Sequence, residues 1–166
     1  EYNYMNFKPE IYCSLDSDIF FNESEYDKII EIINNFEKNK IITCKVNDLL
    51  YESQIDFNKN ELIQTYAKKR LILGLGAFFM VDFSSIFNIG GFDERFKTWG
   101  GEDDDILSRM KKNGLTNSIS KIELYHLPHE NLMYSAQKDP NYHEQCSIIG
   151  SNDIITKYSI ITKKYL

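Results

Sequence analysis

The stretch "GGFDERFKTWGGEDDDILSRMKKNGL", residues 90–115, sets four consecutive carboxylates between a Gly-Gly pair and an apolar pattern of helical spacing. Glu102, Asp103, Asp104 and Asp105 repel one another, and a helix N-terminus relieves each by only about 0.3–1 kcal/mol. Ile106, Leu107 and Met110 mark a face that turns inward, and the spacing predicts a helix to about Asn113 that Gly114 ends. Asp105 stands four residues before Arg109, a favourable pair expected on the wet face. Asp104 lines up with Ser108 and Lys111, also polar. Glu102 and Asp103 lie above the apolar residues and are expected to point inward. An acid-rich helix cap is the structural alternative. Trp99, Gly100 and Gly101 directly upstream favour a site instead. A flat ring can stack on a sugar face, bare backbone can approach closely, and carboxylates can accept hydroxyl protons.

Working outward, residues 10–15 ("EIYCSL") and 41–46 ("IITCKV") read as strands. Between them Tyr26, Ile29, Ile30, Ile33 and Phe36 recur at helical spacing behind a Ser24/Asp27 capping-box pattern. Residues 47–60 read as a long loop and 61–70 as a weak helix. Residues 71–81 read as a buried strand broken by Gly74 and Gly76, and Asp82 is placed to cap a short helix that Gly90 and Gly91 end. Downstream, "TNSIS" and "KIELYH" suggest two short strands. Asp139-Pro140 resembles a helix start, and Ile154, Ile155, Tyr158, Ile161 and Tyr165 share a helical face. Strand, helix and strand in succession give an α/β class.

A chain of 166 residues suits one domain with a sizeable core. Its 19 basic and 25 acidic residues leave a net charge of −6, which argues against a nucleic-acid partner. Three cysteines, Cys13, Cys44 and Cys146, show no ligand-like spacing and read as reduced, buried thiols of a reducing, cytoplasmic compartment. No apolar run approaches a membrane span, so no membrane segment is expected in this chain.

Two more constellations carry chemistry. Asp16 and Asp18, in "LDSD" at the end of a strand, have the i, i+2 spacing that can hold a hard divalent cation and its phosphate ligands. Ligands of open α/β sheets gather at the carboxyl ends of strands. In "YHLPHE", His126 and His129 follow another expected strand, with Pro128 restricting the geometry between them. Neutral imidazoles are common ligands of borderline metals.

"LDSDIFF", then "GAFFMVDFSSIFNIGGFDERFKTWGGEDDDILSRMKKNG", then "LYHLPH", in that order, resemble the catalytic half of metal-dependent glycosyltransferases of the GT-A fold. The likeness runs from about residue 11 to residue 129. It is nearest to the β-1,4-galactosyltransferase type and to chondroitin-polymerase-like and capsule-building transferases. The resemblance implies a GT-A-like sheet flanked by helices, and inverting transfer of a hexose or N-acetylhexosamine from a UDP-sugar to a hydroxyl of a saccharide acceptor. It implies Mn2+ or Mg2+ as cofactor. Asp18 resembles the metal-ligating acid, with Asp16 nearer the ribose or the metal's waters. Asp103 resembles the catalytic base, Glu102 and Asp104 acids that hold sugar hydroxyls, and Trp99, Gly100 and Gly101 the sugar-contacting loop. His129, with His126 as the alternative, resembles the later metal ligand.

Enzymes of this kind carry a nucleotide-binding strand–helix–strand region ahead of the Asp-x-Asp strand. Here only about ten residues precede it, so the chain is expected to be the C-terminal catalytic part of a longer enzyme. A binding or assembly module that keeps the sugar groove without turnover is the rival expectation. A calcium-binding structural domain is a third, disfavoured by the lack of regular calcium-loop spacing. The transferase expectation requires Asp18 and Asp103 to act on one donor sugar.

Overall fold

A computed structural model of the chain describes residues 10–70, 76–98, 100–129, 137–151 and 153–154. Among the described residues eight strands and four α-helices follow in order: β1 (Ile11–Leu15), β2 (Ile19–Phe20), α1 (Tyr26–Asn34), β3 (Lys40–Leu49), β4 (Gln54–Asp56), β5 (Glu61–Gln64), β6 (Ala67–Lys69), β7 (Phe78–Asp82), α2 (Phe83–Asn88), α3 (Glu102–Lys112), β8 (Thr116–His126) and α4 (Pro140–Ser147). The result is an α/β fold with a mixed sheet and few helices, compatible with the expected GT-A-like class.

The described residues form two compact units. One comprises Cys13–Met80 and Asn117–His129. Its sheet runs β1-β7-β3-β8-β2, with β6 also pairing β3, and β4 with β5 makes a separate two-stranded sheet. Strand β3 is the spine. Ile41, Cys44 and Val46 are buried on it, as are Phe79 on β7 and Ile122 and Leu124 on β8. Central position explains a β3 buried on both faces and rich in β-branched residues. On β8 the exposed Ile119, Lys121 and Glu123 alternate with the buried Ile122 and Leu124, so one continuous strand replaces the two expected.

Other expectations in this unit are corrected. Residues 61–70 are strands rather than a helix, and β3 and β4 occupy much of the expected 47–60 loop. Good helix formers are overridden there by pairing: Asp48 faces Lys68 and Leu49 faces Ala67 across β3 and β6. The capping box does not form. A 3-10 turn at Glu23–Glu25 leads into α1, whose start has no side-chain cap. Tyr26, Ile30 and Ile33 on α1 are exposed rather than buried. Of the three free cysteines only Cys44 is buried, and burial pushes its thiol up to about 12.

Of the described residues, the second unit takes in 10–12, 81–98, 100–116, 137–151 and 153–154. Asp82 caps α2 as expected, its carboxylate accepting from Ser85 N, and Asp139 caps α4 by accepting from Asn141 N. Ile106, Leu107 and Met110 of α3 are fully buried, alongside Ile86 and Ile89. The expected strand over residues 71–75 and the tail helix beyond residue 154 lie outside the described residues.

Candidate functional site

The first candidate site is built by a strand register. Strands β2 and β8 are antiparallel, with Ile19 opposite His126 and Phe20 opposite Tyr125. Asp18 stands just before β2 and His129 just after β8, so the ladder brings both to one end. Leu127 N donates to Asp18 O at 2.8 Å, extending the ladder by one more bond. A tight turn, Ile19 N to Asp16 O at 3.3 Å, carries the acids from β1 into β2.

Asp18 Oδ2 lies 3.4 Å from His126 Nε2 and 3.2 Å from His129 Nε2, and the two imidazole nitrogens are 3.1 Å apart. Among the described residues this is the group of three whose ligand atoms all lie within 4.8 Å of one another. Ligands about 2.0–2.2 Å from a small divalent ion stand about 3.0–3.5 Å apart at adjacent coordination positions. One carboxylate and two imidazoles at these separations therefore suit one face of such an ion. Burial lowers the pKa of His126 below the ordinary imidazole value, Asp18 opposing it, and this favours the neutral ring that a metal requires. Asp16 does not join the group. It is exposed on the turn, its backbone N donating to Ala77 O at 3.1 Å.

Two residues that the sequence reading passed over stand behind His126. Asp48 Oδ1 is 3.4 Å from His126 Nδ1, and Arg70 Nε donates to the same oxygen at 2.8 Å. Both fell in segments read as loop and weak helix, where no periodicity singles them out.

The acidic helix start belongs to the other unit, and its carboxylates are sorted differently from expectation. Asp105 is not on the wet face: it is 1% exposed and its partner Arg109 2%. Asp105 Oδ2 accepts from Arg109 Nε and NH2 at 2.9 and 2.7 Å, while Oδ1 accepts from Gly150 N at 2.8 Å. Arg109 also donates to Ile89 O and Gly91 O at 2.9 and 2.7 Å. The pair is buried because it ties α3 to the end of α2, where the Gly90-Gly91 turn presents carbonyls to the guanidinium. Asp104 is exposed, and Glu102 and Asp103 are half-buried. Among the described residues, Glu102 Oε2 and Thr98 Oγ1 are buried side-chain oxygens without a hydrogen-bond partner.

Gly100 and Gly101 have φ of 99° and 95°, a left-handed backbone that costs other residues energy. A Cβ at Gly100 would meet Tyr142 at 3.3 Å, and one at Gly101 would meet Phe96 at 3.2 Å. The fold itself therefore asks for both glycines. Gln145 of α4, also unforeseen, holds the loop before them. Its Oε1 accepts from Lys97 N and Thr98 N, and its Nε2 donates to Thr98 O and Gly100 O. Trp99 lies outside the described residues.

Over residues 61–130 the chain matches a family described as the N-terminal domain of galactosyltransferase. The match spans the Trp99–Asp104 motif and both histidines, and supports a galactosyltransferase-like glycosyltransferase; Asp16 and Asp18 lie upstream of it. No curated protein matches the chain. No helix among the described residues is long and apolar enough to cross a membrane.

Proposed function

We propose that this chain is the catalytic part of a metal-dependent inverting glycosyltransferase that moves a hexose or N-acetylhexosamine from a UDP-sugar to a hydroxyl of a saccharide acceptor. The observation that carries the reading is the convergence of Asp18, His126 and His129. Two residues of one motif and one of another, more than a hundred positions apart in the chain, offer three ligand atoms on one triangle. The order and spacing of the motifs, and the galactosyltransferase match over residues 61–130, give the reaction class.

Asp18, His126 and His129 would hold the cation, which when bound neutralises charge growing on the departing diphosphate. Two imidazoles with one carboxylate suit Mn2+ better than Mg2+, which prefers oxygen ligands. Asp16 would contact the ribose or the metal's waters. Asp103, in the first turn of α3, acts as the base that takes the acceptor hydroxyl proton, at a helix end that favours negative charge. Glu102, whose Oε2 is buried with no hydrogen-bond partner among the described residues, accepts from a sugar hydroxyl, and a ligand hydroxyl would satisfy it. Asp104 does the same from the exposed side, and Trp99, Gly100 and Gly101 form the sugar-contacting loop.

Calorimetric titration with UDP and Mn2+ tests the donor half: Asp18→Ala should lose the Mn2+-dependent signal. Asp103→Asn tests the base. It should lower the transfer rate by about 10²–10⁴-fold while leaving acceptor binding unchanged. A chain that binds saccharide and shows no transfer to be lost is a binding module, and that result ends the transferase reading.

A further inference from the structure

His126 has two ring nitrogens, and the cation site uses one. Nε2 faces Asp18 and His129, while Nδ1 faces Asp48 Oδ1 at 3.4 Å. Asp48 is itself fixed from the far side. Arg70 Nε and NH2 both reach Oδ1, at 2.8 and 2.7 Å. Arg70 is anchored in turn, because its backbone N donates to Val46 O at 3.3 Å just beyond the β3–β6 ladder. Asn47 Nδ2, next to Asp48 on β3, donates to Leu124 O of β8, fixing the strand that ends at His126. Arg70, Asp48 and His126 thus form a row that ends at the triangle of ligand atoms.

A neutral imidazole carries one proton, and the nitrogen that holds it cannot ligate a metal. The 3.4 Å separation is longer than a good hydrogen bond, so Asp48 acts chiefly as a fixed negative charge beside Nδ1. That charge pulls the ring proton toward Nδ1, against Asp18 at the same distance from Nε2, and so adds to the form whose Nε2 lone pair can face a cation. Arg70 occupies the Asp48 oxygen nearest the ring and so keeps this carboxylate from turning to become a fourth ligand. We propose that Asp48, held by Arg70, is the positioning residue that fixes the tautomer and orientation of His126 for binding of a divalent cation. The inference rests on the cation reading above and adds to it residues that no motif contains.

The test uses the full chain, with Mn2+ alone as the probe and two readouts. Long-range nitrogen–proton NMR of the metal-free protein at about pH 8, where imidazoles are neutral, reads the His126 tautomer directly. Asp48→Asn should shift the tautomer balance from Nδ1–H toward Nε2–H relative to the wild type. Mn2+ affinity should fall by about 10–100-fold in Asp48→Asn, the range seen when the partner of a ligating histidine is removed. A tautomer balance that is the same in the wild type and in Asp48→Asn overturns the role of Asp48. So does an Asp48→Asn protein that binds Mn2+ as tightly as wild type. A wild type that binds no Mn2+ overturns the cation reading itself, and that failure is distinct from the other two.

Discussion

Asp105 and Arg109 show how four adjacent carboxylates persist in one helical turn. One is neutralised by a buried guanidinium, one is left in water, and two are half-buried at the head of the helix. Removing one member of a satisfied buried ion pair leaves an uncompensated charge, which costs about 3–5 kcal/mol. Arg109→Met should therefore destabilise the chain by roughly that amount in urea unfolding, and also strand the carbonyls of Ile89 and Gly91. Asp104→Asn, on the exposed position, should change stability by less than about 0.5 kcal/mol. Equal effects of the two would show that the carboxylates are not sorted by burial. The i, i+4 pairing of Asp105 with Arg109 was legible in the sequence, because spacing alone dictates it. Its burial was not: the carbonyls and the Gly150 N–H that satisfy the pair come from segments distant in sequence. Asp18, His126 and His129 were legible as ligand types, since aspartate and histidine at strand ends carry that chemistry themselves. Asp48 and Arg70 were not, because only the β3–β6–β8 arrangement gives them something to act on.

At the scale of elements, Gln145 is the clearest case of position without a sequence signal. A glutamine in the middle of a short helix is ordinary, yet this one is buried and satisfies four backbone groups of the loop at Lys97, Thr98 and Gly100. Each buried backbone group left unpaired costs about 1–3 kcal/mol. Gln145→Leu should therefore destabilise the unit that holds the loop by at least about 2 kcal/mol, and amide hydrogen exchange at Lys97 and Thr98 should accelerate more than in α3. Gln145→Glu should keep the two accepted bonds and lose the two donated ones, giving an intermediate protection. Unchanged exchange at Lys97 in Gln145→Leu would mean that the loop holds its shape by other contacts. Strands gave a similar lesson. The apolar content of β3 and β7 announces a buried sheet, whereas β5 and β6 consist of residues with good helix propensity and are extended because their partners are.

At the scale of the whole chain, a cation held by Asp18, His126 and His129 would join a residue near the start of the described chain to residues at and just beyond the end of β8. Those ligands converge only when β2 and β8 are paired, so the cation should bind the folded chain and not the unfolded one. Binding of this kind stabilises by mass action, about 2.7 kcal/mol at a ligand concentration one hundred times Kd. Mn2+ should then raise the unfolding temperature, and the rise should keep growing with the logarithm of Mn2+ concentration once the site is saturated. Added chelator should reverse it. Asp18→Ala should abolish the dependence. The two histidines, either of which fits the later ligand position by resemblance, are separated by the same experiment. If both ligate, His126→Ala and His129→Ala each flatten the slope at a given Mn2+ concentration; if only His129 ligates, His126→Ala lowers the metal-free stability and leaves the slope intact. The triangle of ligand atoms, 3.1–3.4 Å on each side, favours the first outcome. A rise that persists in all three variants would place the cation elsewhere on the chain and remove the argument that β2 and β8 are paired to hold it.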